Sequence, residues 1–143
     1  MSGTYRSPLA PDANAGLVTL VTGGGTGLGR AVAREYARTG ARVAIAGRRA
    51  EPLEEVSAEL EAAGTEVLAV PGTDVREPDH VTALVDRVLE RFGRIDVLVN
   101  NAGGQFVATP ETISAKGWRV VPRPNVDGGF YLMRTRAESP LIE

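Results

Sequence analysis

Apolar residues in this chain follow two rhythms: short continuous runs, and longer stretches in which they recur every three or four positions. Leu17, Val18, Leu20 and Val21 make the first run and predict a strand covered on both faces. Ala31, Val32, Tyr36 and Ala37 then recur at helical spacing, with Gly40 as a left-handed stop. Val43 to Ala46 predicts a second strand, and Leu53, Val56 and Leu60 line one face of a second helix, with Pro52 in its first turn and Gly64 behind it. The acidic face of that helix is expected to be solvated. Val67 to Val70 predicts a third strand. Pro78 opens and Gly93 closes a third helix carrying Val81, Leu84, Val85, Val88, Leu89 and Phe92, and Ile95 to Val99 predicts a fourth strand.

Strands alternating with helices predict an α/β fold, a Rossmann-like doubly wound parallel sheet in the order 3-2-1-4, with no fifth strand following. The strand Ile95 to Val99 then presents an apolar edge that favours homo-oligomers. Residues 1–15 read as a flexible leader, 16–137 as one domain and 138–143 as a tail. Beyond Gly104 the pattern is less regular. A helix beginning at Thr109 or Glu111 and passing Trp118 and Val121 meets Pro122 and Pro124, and another helix is predicted from about Asn125 to Ala137.

The chemistry concentrates where strands end. Thr22 to Gly29 is a glycine-rich strand-to-helix turn, which lets the backbone approach a ligand closely and aims N–H groups at an anion. Its spacing is Gly-x-x-x-Gly-x-Gly. The dinucleotide fingerprint Gly-x-Gly-x-x-Gly fails because Leu28 occupies the third glycine position, and the triphosphatase loop fails because Arg30 and Ala31 replace its Lys and Ser or Thr. Arg48 and Arg49 end strand two with no carboxylate at that tip. This is where such folds meet the adenosine ribose, so NADP(H) is expected over NAD(H). Asn100 to Gly104 follow strand four at its ligand-binding end.

Composition removes several classes. With 16 basic and 18 acidic residues interspersed and a net charge of −2, no stripe for nucleic acid and no charged tail is present. Cysteine is absent and His80, read as plain surface, is the sole histidine, which leaves no disulfide framework and no imidazole or thiolate metal site. No secretory pattern and no membrane-length apolar run is found, so a soluble cytoplasmic protein is expected.

Thr22-Gly23-x-x-x-Gly27-x-Gly29, Asp74-Val75 after strand three and Asn100-Asn101-Ala102-Gly103 after strand four together resemble the short-chain dehydrogenase/reductase family. The run from Asn100 through Gln105-Phe106, Ile113-Ser114, Lys116-Gly117-Trp118, Asn125, Gly128 and Phe130 resembles more narrowly the enoyl-CoA and 2,4-dienoyl-CoA reductases within it. The resemblance implies that Gly23, Thr26, Gly27 and Leu28 face the pyrophosphate, Asp74 and Val75 the adenine, and Asn101, Ala102 and Gly103 the ribose and the strand-four turn. Gly29 is assigned to helix packing. Asn125 matches the family's asparagine that helps assemble the catalytic site and its proton relay. The matching Tyr-x-x-x-Lys is missing: none of Tyr5, Tyr36 and Tyr131 has a lysine four residues later, and Lys116 is the sole lysine. The expectation is therefore the nucleotide-binding half of an NADP(H)-dependent oxidoreductase for a carbonyl or acyl-CoA substrate, inactive alone. A catalytically silent NADP-binding module and the remnant of a disrupted gene are the alternatives.

Overall fold

A computed structural model describes residues 7–104, 112, 114, 115 and 122–138. Its elements in chain order are β1 (Val18–Thr22), α1 (Gly27–Arg38), β2 (Arg42–Ala46), α2 (Ala50–Ala62), β3 (Val67–Val70), α3 (Pro78–Phe92) and β4 (Val97–Val99). A π-helical turn, Arg123–Asp127, then leads into α4 (Gly128–Glu138). The four strands form one parallel sheet in the order β3-β2-β1-β4, as expected.

β1 and β2 lie in the middle of the sheet. Val18, Leu20, Ala44 and Ala46 face a core filled by Val81, Leu84, Val85 and Val88 of α3 and Leu132 of α4. Val21, Val43 and Ile45 face the opposite way, onto Ala33 of α1 and Leu53, Val56 and Leu60 of α2. Burial on both faces is why these strands read as unbroken apolar runs. The helices end as glycine requires. At Gly40, with φ +92°, the Gly40 N–H donates to Ala37 (3.0 Å) and the Ala41 N–H to Tyr36 (3.0 Å), a Schellman stop that turns the chain into β2.

Three details depart from the pattern. β4 begins at Val97, two residues later than expected, because the Asp96 side chain takes the Val18 N–H (Oδ2, 2.8 Å) that a longer ladder would have used. Burial opposes ionisation of Asp96, yet Arg94 and that N–H outweigh it and hold the carboxyl below its usual range. The acidic side of α2 is not merely solvated: Glu59 accepts from Arg30 (2.9 Å) and Arg34 (2.7 Å), which ties α2 to α1. The helix expected from Asn125 opens instead as the π-helical turn Arg123–Asp127, with Pro122 as its N-cap and Pro124 inside its first turn. The helix expected between Thr109 and Val121 lies outside the described residues, apart from isolated positions.

Residues 7–15 lie against the C-terminal end of α1. The Asn14 N–H donates to the Thr39 carbonyl (2.8 Å) and Asn14 Nδ2 to Thr39 Oγ1 (2.6 Å). Among the described residues, no helix is long and apolar enough to cross a membrane.

Thr19, in β1, is fully buried and its Oγ1 has no hydrogen-bond partner among the described residues. Thr19→Val removes that unsatisfied hydroxyl at nearly constant volume and is expected to raise the unfolding free energy by about 1 kcal/mol. Urea denaturation checks this, and a lowered midpoint would show that the hydroxyl is satisfied in solution.

Candidate functional site

The site begins with the turn from β1 into α1. Gly23, at φ +68°, reverses the chain while its N–H donates to the Ala46 carbonyl (2.7 Å), which hooks the turn onto the end of β2. α1 then passes so close to the turn that a Cβ on Gly29 would lie 2.1 Å from the Gly23 carbonyl oxygen and 2.5 Å from Asn101 Nδ2. The packing role expected of Gly29 is therefore a steric necessity. Thr26 is the N-cap of α1, but its side chain makes no capping hydrogen bond and the first turn holds no acidic residue. The helix thus points uncompensated N–H groups and the positive end of its dipole into the space above the sheet. Leu28 stands at the lip of that space, 79% exposed.

A second layer comes from the end of β4. Thr22 Oγ1 donates to the Val99 carbonyl (3.2 Å) and accepts the N–H groups of Asn101 (3.2 Å) and Ala102 (3.0 Å). Asn101 Nδ2 returns to the carbonyls of Thr22 (2.9 Å) and Gly23 (3.3 Å). One hydroxyl and one amide therefore weld the β4 turn to the glycine turn. Asn125, on the π-helical turn, holds the next stretch of backbone: its Nδ2 donates to the Gly104 carbonyl (2.7 Å) and its Oδ1 accepts the Gly104 N–H (3.2 Å).

A third layer joins the tips of β2 and β3. The Gly47 N–H donates to Val70 (3.3 Å) and the Thr73 N–H to Gly47 (3.0 Å), while the buried Thr73 hydroxyl donates to Val70 (3.1 Å). These bonds bring the tips of β2 and β3 together, so that Arg48, Arg49 and Asp74 border the same cleft. Neither guanidinium forms a hydrogen bond or ion pair with a described residue, whereas Asp74 is gripped by Arg76. Hydrogen bonds from Arg76 hold the Asp74 carboxyl at about 2, against the opposing effect of burial and with help from the Arg48 charge. It is ionised at any physiological pH. His80 is exposed, but not idle, since its Nδ1 accepts the Asp74 N–H (3.3 Å).

The three layers enclose one open cleft of about 550 Å³, lined by Gly23, Thr26, Gly27, Leu28, Arg48, Arg49, Asp74, Val75, Asn101, Ala102 and Gly103. Every cofactor residue expected from the sequence borders it. Asn125 does not; it borders a smaller hollow of about 60 Å³ with Asn100, Gly129 and Leu132, and Val75, Asn101, Ala102 and Pro124 are common to both. Sequence reasoning missed Thr73, Pro52 and Arg76 on the cleft wall. For Arg76 a signal existed, because Asp-x-Arg in a turn permits an Asx-type bond from the Arg N–H, seen here at 3.0 Å to Asp74 Oδ1. The donor set suits a dinucleotide: open helix N–H groups for a pyrophosphate, two unengaged guanidiniums for a further phosphate, and a Gly27 above which a Cβ would meet nothing within 4 Å. Among the described residues, no three acidic or histidine side chains converge on a metal position.

Gly29→Ala is expected to lower stability by about 1 to 3 kcal/mol, since backbone at Gly23 must move to admit the methyl group. Gly29→Ala should also weaken binding of any ligand seated on the turn. Thermal unfolding compared with Gly64→Ala, a left-handed glycine with open surroundings, separates this crowding from ordinary backbone strain; equal losses would contradict it.

Residues 17–140 match the family model described as short chain dehydrogenase. A peroxisomal 2,4-dienoyl-CoA reductase [(3E)-enoyl-CoA-producing] of Arabidopsis thaliana is 37% identical over 126 residues, covering 88% of this chain and 42% of that enzyme. Among solved structures, the citronellol catabolism dehydrogenase AtuB of Pseudomonas aeruginosa PAO1 is 40% identical with a TM-score of 0.84, over 92% of this chain and 53% of the other. Two Burkholderia short-chain dehydrogenases are also similar. That of B. cenocepacia, in complex with NADP, is 35% identical with a TM-score of 0.81, over 86% of this chain and 50% of its own. That of B. phymatum, in complex with NAD, is 36% identical with a TM-score of 0.82, over 90% and 45%. The chain spans about half the length of the relatives it matches. It belongs to the short-chain dehydrogenase family.

Proposed function

We propose that this chain is the nucleotide-binding half of an NADP(H)-dependent oxidoreductase whose substrate is an enoyl thioester or a related carbonyl compound. The observation that carries the cofactor is the pair Arg48 and Arg49, unengaged on the cleft wall, while the nearby carboxylate of Asp74 is held by Arg76. A carboxylate at the tip of β2 would accept a ribose 2′-hydroxyl and repel a phosphate; guanidinium groups do the reverse. Gly23 and Thr26 to Leu28 seat the pyrophosphate against the start of α1, Asp74 and Val75 border the adenine, and Asn101 to Gly103 border the adjoining ribose. The substrate class draws support from the 2,4-dienoyl-CoA reductase relative.

When bound, the nicotinamide supplies hydride chemistry. This chain's contribution is to bind and orient: Asn125, through both bonds to Gly104, fixes the backbone that follows β4. Proton delivery is a different matter. No tyrosine here is followed by a lysine four residues on, and loss of a positioned acid–base group costs about 10²- to 10⁴-fold in rate. The chain alone is thus expected to bind without turnover.

Calorimetric titration tests the cofactor. One charge-assisted contact of about 1.5 to 3 kcal/mol gives a preference for NADPH over NADH of roughly 10- to 100-fold, lost in Arg48→Ala. Equal affinities, or a preference that survives Arg48→Ala, would overturn it. With a medium-chain enoyl-CoA added, no oxidation of NADPH above background is expected; turnover that copurifies with the chain would contradict the separation of binding from catalysis.

A further inference from the structure

We propose that Arg76 is a specificity-determining positioning residue: by occupying both oxygens of Asp74 it keeps that carboxylate off Arg48 and leaves Arg48 free for the 2′-phosphate. The inference rests on the NADP reading above and names a residue outside the strand-two tip as part of the preference.

Asp74, Arg48 and Arg76 border the same cleft. Among the described residues, all the hydrogen bonds that the Asp74 carboxylate accepts come from Arg76. Oδ1 takes its backbone N–H (3.0 Å) and its Nε (2.8 Å), and Oδ2 takes Nε (3.0 Å) and Nη2. An ionised carboxylate offers about four acceptor sites, so this one is saturated by a single neighbour. The fork geometry is specific to arginine, since lysine presents one ammonium that cannot span both oxygens. The spacing also makes it local: Asp74 and Arg76 are two residues apart in the turn that Pro78 closes by opening α3.

Without Arg76 the carboxylate would remain, with its side chain only 18% exposed, and would need another cation. Arg48 already acts on it electrostatically. A carboxylate freed from Arg76 would therefore either draw Arg48 away from the phosphate position or, left unpaired, repel the phosphate. Either effect opposes a 2′-phosphate and leaves a 2′-hydroxyl almost untouched. A merely structural Arg76 would behave otherwise, weakening both dinucleotides alike by loosening the loop.

Dissociation constants for NADPH and NADH, measured by calorimetry on the 143-residue chain, separate the two. Arg76→Ala is expected to lower the NADPH:NADH preference by about three- to tenfold, and Arg76→Lys by less. Adding Asp74→Asn to Arg76→Ala removes the competing charge and should restore the preference. A ratio unchanged in both Arg76 variants, or unrestored in the double variant, overturns the proposal. A wild-type chain with no preference, or one indifferent to Arg48→Ala, shows instead that the underlying cofactor reading is wrong.

Discussion

The structure depends on how closely α1 can approach the carboxyl end of β1. A Cβ at Gly29 would lie only 2.1 Å from the Gly23 carbonyl oxygen, so no side chain fits between helix and turn and the N-terminus of α1 sits close against the sheet. That proximity sets the depth of the cleft. It also lets Asn101 reach from the β4 turn to the carbonyls of Thr22 and Gly23, so the two turns share one small set of hydrogen bonds. Crowding at a glycine thus organises both the fold's central crossover and the ligand surface above it.

The cleft's electrostatics follow from which charges are already engaged. Arg30 and Arg34 are spent on Glu59, and Arg94 on Asp96, all away from the cleft. On the cleft wall, Asp74 is matched by Arg76 while Arg48 and Arg49 are not matched by any described carboxylate. The surplus positive charge therefore sits opposite a helix N-terminus, and both favour a polyanionic ligand.

Much of the fold was legible because strands covered on both faces must be continuously apolar: Val43 to Ile45 and Val18 to Val21 could hardly sit elsewhere, and Gly40, Gly64 and Gly93 marked where helices stop. The glycine turn and the residues after β3 and β4 were legible as a group because ligand sites in such sheets gather at strand ends. What escaped was pairing. Nothing in the pattern of α2 says that Glu59 meets Arg30 and Arg34, nor that Asp96 would spend its side chain on Val18 and shorten β4. Nor does the periodicity say that the last helix opens as a π-helical turn, Arg123–Asp127, with Pro124 in its first turn. Arg76 was harder to see for a related reason: the Asp-x-Arg spacing permits the turn bond, but charge counting along the chain does not reveal which cation a carboxylate has already taken.

We infer that the glycine turn, the strand-two tip and the Asp74 loop form one surface for the adenosine half of a phosphorylated dinucleotide. Titrating ¹⁵N-labelled chain with adenosine 2′,5′-bisphosphate, which carries no nicotinamide, and following backbone amide shifts tests it most directly. Saturable shifts at Gly23, Thr26 to Leu28, Arg48 and Asp74 to Arg76, with α4 silent, are the predicted result. Shifts confined to other surfaces, or none that saturate, would contradict the account.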